Sequence, residues 1–533
     1  MKRLAGFVAA IGVMVMSGAA RAEPYDVVEK SVSQLEADMA AGKVTSEQLV
    51  RAYEARIAAL DRAGPTLNSV IALNPYALAD ARKLDAERKA GHVIGPLHGV
   101  PVLLKDNIES ADDTATTAGS LALKDNVTNR DAPLVKRLTD AGAVILGKTN
   151  LSEWANIRST NSISGWSAVG GLVKNPYALD RNACGSSSGA GAAIAASLAA
   201  VGVGTETDGS VTCPSAFNAL AGLKPTVGLI SRTHVVPISH SQDTPGPMGR
   251  DVTDIALLLT AMAGSDPADP ATRDADAHKR DYVAALSGAS LKGKRLGVLG
   301  YAKGLSPGVD PVFDAAVAAL KAQGAEVVEI DDYKPPEGMG EQEFTVLVTE
   351  LKADLNSYLA TTPEAVKTRT LADVIAFNEA HPRELVLFGQ QIFERAEATK
   401  GLDDPDYVKA RAESQKAAGP DGIDKLIADH HLDALICPSY GPAWRTDVVT
   451  GDHDSGSSSS LPAIAGYPHL TVPMGQVRGM PVGLSFIGPA WSEDRLLALG
   501  YAYEQATHAR KAPTYRPSVE SDADVEAASA PSH

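Results

Sequence analysis

The sequence predicts an α/β fold, a mixed β-sheet core covered by helices. Short apolar runs at 99–104 and 201–205 have the length and composition of buried strands. Longer segments with helical apolar spacing alternate with them, the pattern that builds layered α/β domains. With 533 residues, 44% of them hydrophobic, the chain can bury a large core.

The elements follow in order. Lys2 and Arg3, an apolar run over 4–16 and the small-residue end Ala20-Arg21-Ala22 form a cleavable export signal over 1–22. The apolar run is shorter than the roughly 20 residues a bilayer span needs. Helices are expected near 26–41 and 46–62, the second capped by Thr45 or Ser46, and over 75–90, stopped by Gly91. The strand at 99–104 ends on Lys105-Asp106-Asn107, and a helix near 131–141 feeds a strand at 143–146.

From 184 on the texture changes. Gly185-Ser186-Ser187-Ser188-Gly189 opens an Ala-rich helix over 190–200. A strand at 201–205 runs into the turn Glu206-Thr207-Asp208-Gly209-Ser210, and Cys213-Pro214 starts another helix. Residues 264–276 read as a loop or linker. Strands are then expected at 296–299, 327–330, 433–437 and 482–487, with helices near 309–322, 383–400 and 492–507. The chain divides into the signal, one domain over 23–517, and an acidic tail over 518–533 expected to be disordered.

Composition excludes several functions. A net charge of −16 disfavours nucleic acid and anionic membranes as partners. Cys184, Cys213 and Cys437 form no C-x-x-C and no zinc spacing, so no metal site is expected. A Cys184–Cys213 bridge requires an oxidising compartment, and buried free thiols are the preferred expectation. The 185–191 segment lacks the Gly-Lys-Ser/Thr of a phosphate-binding loop. It does match G-x-S-x-G, but the loop-like stretch 179–184 stands where a nucleophile elbow needs a strand.

Ser210 sits after a strand in a glycine-containing turn that can expose successive backbone N–H groups, the construction of an oxyanion hole. A serine hydroxyl needs a base, and no histidine lies nearby in sequence. Lys105, at the end of an apolar run, is the candidate. Deprotonating an ordinary lysine near neutral pH costs roughly 4 kcal/mol, and burial reduces that cost. Spacing alone does not join these residues.

The motifs do. Residues 99–107, Gly147-Lys148-Thr149-Asn150, 185–193, 204–210 and Gly222-Leu223-Lys224-Pro225-Thr226 resemble the amidase-signature family, closest in form to peptide amidases. Ala465-Gly466-Tyr467-Pro468, Val472-Pro473 and Pro481-Val482-Gly483-Leu484 extend the resemblance over nearly the whole mature chain. It implies a Ser–Ser–Lys triad: Ser210 the acylated nucleophile, Ser186 the bridging serine in a cis peptide with Gly185, and Lys105 the base. Thr207, Asp208, Gly209 and Ser210 would supply oxyanion N–H groups, and Ser159 and Thr160 are candidate pocket residues. Cys184, Ser188 and Asp208 stand where many members have Gly.

The implied activity is hydrolysis of a carboxamide to a carboxylate and ammonia or an amine, with a small-molecule or peptide amide as partner and no cofactor. C-terminal peptide amides fit the closest motif form. Three alternatives are the glutamine-hydrolysing component of a tRNA amidotransferase, an elbow-type esterase using Ser187, and a non-catalytic periplasmic binding protein. Charged tRNA is cytosolic, so the export signal opposes the first.

Overall fold

A computed structural model describes residues 25–531; the expected signal segment 1–22 lies outside them. Eleven strands make one mixed sheet. In chain order they are β1 (Val70–Leu73), β2 (Pro101–Lys105), β3 (Val144–Thr149), β4 (Val201–Glu206), β5 (Ala221–Lys224) and β6 (Thr244–Gly249). Then come β7 (Arg295–Leu299), β8 (Glu326–Ile330), β9 (Ala434–Pro438), β10 (His469–Val477) and β11 (Met480–Ile487). Across the sheet the order is β1-β3-β2-β4-β6-β5-β10-β11-β9-β7-β8. Strands β3, β2 and β4 are parallel neighbours, as are β9, β7 and β8, and antiparallel pairs join the two groups. The central strands β2 to β6 are buried at every position; β2 and β4 accordingly read as mostly apolar rather than alternating, while β5 and β6, rich in glycine and proline, give no such signal.

Local signals set the first helices. Ser31 and Gln34 form a capping box at α1 (Val32–Ala40), and Thr45 with Gln48 does the same at α2 (Ser46–Arg56). Beyond Arg56 the expected helix loosens into a π-turn over Ile57–Asp61. There the buried Asp61 carboxylate accepts N–H groups from Ser69 and Val70 and pins the start of β1. Helix α3 (Ala77–Lys89) follows, and Pro133 occupies the first turn of α4 (Pro133–Asp140).

Helix α5 (Ser188–Ala195) is the centre of the molecule, with every side chain buried. It stops short of the expected residue 200, because the chain reverses through Ser197 at φ 55° to enter β4. Small side chains permit this burial. A Cβ on Gly189 would stand 2.4 Å from the carbonyl oxygens of both Asn150 and Ser69. Helix α6 (Thr212–Phe217) packs beside α5.

Four further segments depart from expectation. Residues 264–276 are not a plain loop, since a 3-10 turn (Pro270–Asp274) leads into the short helix Ala275–His278. Only Gln391–Glu397 of 383–400 is helical. Met339–Leu359 is a 21-residue helix that the sequence pattern misses. In the acidic tail Val519 is buried and Ala523–Ser529 is helical. Composition predicts disorder there, but arginines offset the acids: Arg516 meets Asp522 and Arg181 meets Glu520, both at 2.6 Å. Among the described residues no helix is long and apolar enough to cross a membrane.

The close approach at Gly189 makes a prediction. Gly189→Ala should cost about 1–3 kcal/mol of stability, the usual range for overpacking. Urea denaturation of the two proteins reads this directly.

Candidate active site

The site forms at the carboxyl ends of β2 and β4, where open α/β sheets present their ligand crevices. Lys105 is the last residue of β2 and has no exposed surface. Its Nζ lies 2.7 Å from Ser186 Oγ, 2.9 Å from Thr205 Oγ1 and 3.1 Å from the Thr205 carbonyl. Burial lowers the Lys105 pKa to about 7, against the opposing pull of the Asp243 and Glu206 carboxylates. Ser186 is equally buried, and the Gly185–Ser186 peptide is cis, as the family resemblance implies.

Ser210 follows the β4 end in the turn 207–210. Among the described residues its hydroxyl has no hydrogen-bond partner, and no bond joins it to Ser186 Oγ. Such catalytic contacts often tighten only with substrate bound. The turn is held from below by Glu206, whose Oε2 accepts the N–H groups of Val211 and Thr212 at 2.8 and 2.9 Å. The N–H groups of Thr207, Asp208, Gly209 and Ser210 donate to no acceptor among the described residues. A row of free donors of this kind is an anion nest. Gly209, at φ 78°, is required: a Cβ there would meet the Tyr440 hydroxyl at 2.3 Å. The Asp208 side chain, standing where many members of the resembled family have Gly, turns away and accepts from Ser460 Oγ at 2.7 Å.

A cleft of about 320 Å³ opens beside this arrangement. Its wall is apolar, with Val235, Val236, Pro237 and Ile238; Asn107, Thr205, Thr207 and Asp243 line its polar side. Thr205 and Thr207 connect it to the triad, while Ser186 and Ser210 are not themselves among its lining residues. Ser159 and Thr160 do not belong to it either. Ser159 Oγ donates to Gln391 Oε1 at 2.8 Å and accepts from Asn161 N, and Thr160 is exposed. Ser159 is buried and Thr160 exposed, and neither lines this cleft.

The sequence does not reveal Thr205, Asp243 or Gln242. Polar residues two or three positions from a glycine or proline are common, and only the sheet brings these three to Lys105 and Thr207. Three other arrangements are inert. Ser187 is buried with its hydroxyl committed to the Thr205 carbonyl at 3.1 Å, so it is not presented as an elbow nucleophile. His469 Nε2 meets Ser485 Oγ at 2.5 Å, but both are fully buried, and burial pushes the imidazole down to about 3. His240, Glu350 and Asp354 are close enough to share a cation. Their oxygens are already taken: Glu350 accepts from Ser241 and Tyr407 with Arg411 3.7 Å away, and Asp354 holds His240.

The profile of the family described as Amidase matches residues 48–497. The chain belongs to the amidase family. It is a hydrolase acting on amide C–N bonds. Its likeness to solved structures includes the native peptide amidase of Stenotrophomonas maltophilia, at 51% identity, TM-score 0.85, covering 92% of this chain and 99% of that one. A probable amidase of Arabidopsis thaliana is 41% identical over 92% of each chain. A glutamyl-tRNA(Gln) amidotransferase component from Synechococcus sp. is 34% identical over 89% of this chain and 92% of that protein.

Cys184 and Cys213 are joined by a disulfide, with Cα atoms 5.9 Å apart, and Cys437 is free and buried. This corrects the expectation of three thiols. Twenty-nine positions separate the two in sequence, and only the packing of α6 against the 184–186 loop makes them neighbours. The bridge ties the residue two before Ser186 to the residue three after Ser210. Thiol titration of the denatured protein should find one reactive cysteine, rising to three after reduction. Replacing both bridging cysteines with serine should cost about 3 kcal/mol, as for loops of this size, measured by denaturant unfolding.

Proposed function

We propose that this amidase cleaves carboxamides, C-terminal peptide amides among them, through a Ser210 acyl-enzyme driven by Lys105 and Ser186. The observation that carries the reading is the buried 2.7 Å contact between Lys105 Nζ and Ser186 Oγ beside the free N–H row at 207–210. A neutral amine has two N–H donors and one lone pair. The Thr205 carbonyl and hydroxyl accept the two donors, which leaves the lone pair for the Ser186 proton.

Lys105 takes the Ser186 proton as Ser186 takes that of Ser210, and Ser210 Oγ attacks the carbonyl carbon. The free N–H groups of the turn hold the resulting oxyanion. Ser186 returns a proton to the leaving nitrogen, the C–N bond breaks, and ammonia or an amine departs. Water then attacks the ester by the same relay, releasing the carboxylate and restoring Ser210. The likeness to the peptide amidase supports the peptide-amide substrate, and the apolar cleft wall offers a surface for a peptide side chain. The signal over 1–22 and the Cys184–Cys213 bridge together support export to an oxidising compartment, the periplasm or the exterior.

A panel of peptide amides, simple aliphatic and aryl amides and glutamine, scored by ammonia or amine release, tests the substrate. Turnover of peptide amides is expected; release from glutamine alone would support the amidotransferase reading instead. Ser210→Ala should fold normally and lose at least about 10³-fold in kcat; substantial turnover by that variant would refute the nucleophile. Because only the neutral amine accepts a proton, kcat/KM should rise with pH through about 7 and then level off. Arginine stays charged at all accessible pH, so Lys105→Arg should be inactive and stay so at alkaline pH. N-terminal sequencing of exported protein should begin at Glu23; a cytoplasmic chain that retains Met1 would overturn export.

A further inference from the structure

Asp243, Asp269 and Asp354 line the cleft, the reaction above uses none of them, and Asp243 is the one bonded to the oxyanion turn. Asp243 Oδ1 accepts from Thr207 Oγ1 at 2.6 Å, while its Oδ2 accepts the backbone N–H groups of Ile238 and Ser239 at 2.7 and 2.9 Å. One side chain therefore ties two structures together. Thr207 begins the turn of free N–H groups, and Ile238 ends the apolar wall of the cleft. The neighbouring Gln242 adds a second tie, since its Nε2 reaches the Thr207 carbonyl at 3.3 Å and Glu343 Oε1 at 2.8 Å.

We propose that Asp243 is a positioning residue for amide hydrolysis: it fixes Thr207 at the mouth of the oxyanion turn and ties that turn to the apolar wall of the cleft. This rests on the Lys105 reading above. The charges of Asp243, from the 238–243 segment, and Glu206, from the end of β4, both favour the Lys105 ammonium without contacting it. Glu206 is committed to Val211 and Thr212. Arg232 also faces Asp243, but its guanidinium is held by Asp269 at 2.7 Å. His240 is paired with Asp354 on the helix Met339–Leu359, and Asp208 lies beside Glu343 on the same helix. Asp243 is thus the carboxylate that joins cleft wall and oxyanion turn. Its charge favours the ammonium form of Lys105, opposing the burial that favours the amine.

Asp243→Asn preserves shape. The amide oxygen can still accept both backbone N–H groups, and the NH₂ can donate to Thr207 Oγ1, but the charge is gone. With less to stabilise its ammonium form, Lys105 should titrate lower. The midpoint of the rising limb of kcat/KM should move to more acidic pH. The plateau kcat should fall about tenfold, less than loss of a whole oxyanion donor. Thr207→Val removes the clip, and because the Thr207 hydrogen bond also helps keep Asp243 ionised against burial, which raises its pKa to about 6, the variant is read at alkaline pH where Asp243 is charged. The plateau kcat should fall about tenfold there, an effect of the same kind. An Asp243→Asn protein with the parent midpoint and kcat, changed only in melting temperature, would overturn the proposal. If Asp243→Asn fails to fold, a Thr207→Val enzyme with parental kcat overturns it equally. A parent enzyme with no rising limb at all would refute the Lys105 base rather than the Asp243 clip, whose effect on kcat through Thr207 would still be measurable.

Discussion

The Lys105 amine has no exposed surface, so every partner it needs must come from the fold. Burial removes the water that would stabilise its charge, and that lowers its pKa toward neutrality. The same burial demands that its N–H groups be satisfied. Thr205 does this with both its carbonyl and its hydroxyl, and Asn107 donates to that hydroxyl at 2.9 Å from the far side. Strands β2 and β4 are parallel neighbours, so Lys105 and Thr205 emerge at the same edge of the sheet. The catalytic geometry is thus set by strand register before any loop is considered.

Around that fixed lysine, the 206–210 turn is braced rather than free. Glu206 takes the N–H groups on one side, Asp243 takes the Thr207 hydroxyl, and the Tyr440 hydroxyl fills the space where any side chain at 209 would go. Each brace uses an atom outside the 207–210 N–H row and leaves that row unpaired. A row of backbone donors that is fixed before substrate arrives needs no reorganisation when negative charge develops on the carbonyl oxygen. The disulfide extends the bracing by joining the Ser186 loop to α6, the helix that follows Ser210.

Helix α5 makes this compactness possible. Its glycines and alanines let the helix lie against the Asn150 loop, the β1 start and α6 at distances no larger side chain would allow. The serine-rich loop at its head is consequently buried. That is why Ser187 spends its hydroxyl on Thr205 while Ser186 meets Lys105. Two adjacent serines, alike in composition, are assigned different work by the direction in which the backbone presents them.

The sequence by itself determined the strands that carry Lys105 and the 206–210 turn, the early helix caps and the order of the family motifs. These depend on local features: apolar runs, capping residues and glycines in tight turns act over a few positions. Tertiary structure alone decided what meets what across long separations. Lys105 reaches Thr205 and Thr207 reaches Asp243 only because β2, β4 and β6 adjoin in the sheet. Cys184 reaches Cys213 only because α6 packs against its loop, and the acidic tail finds arginines in segments far from it. Ser159 and Thr160 lie near the motifs in sequence, yet neither lines the cleft: Ser159 is buried against Gln391 and Thr160 is exposed. Proximity along the chain sets local conformation, whereas sheet order and packing set which side chains share a site.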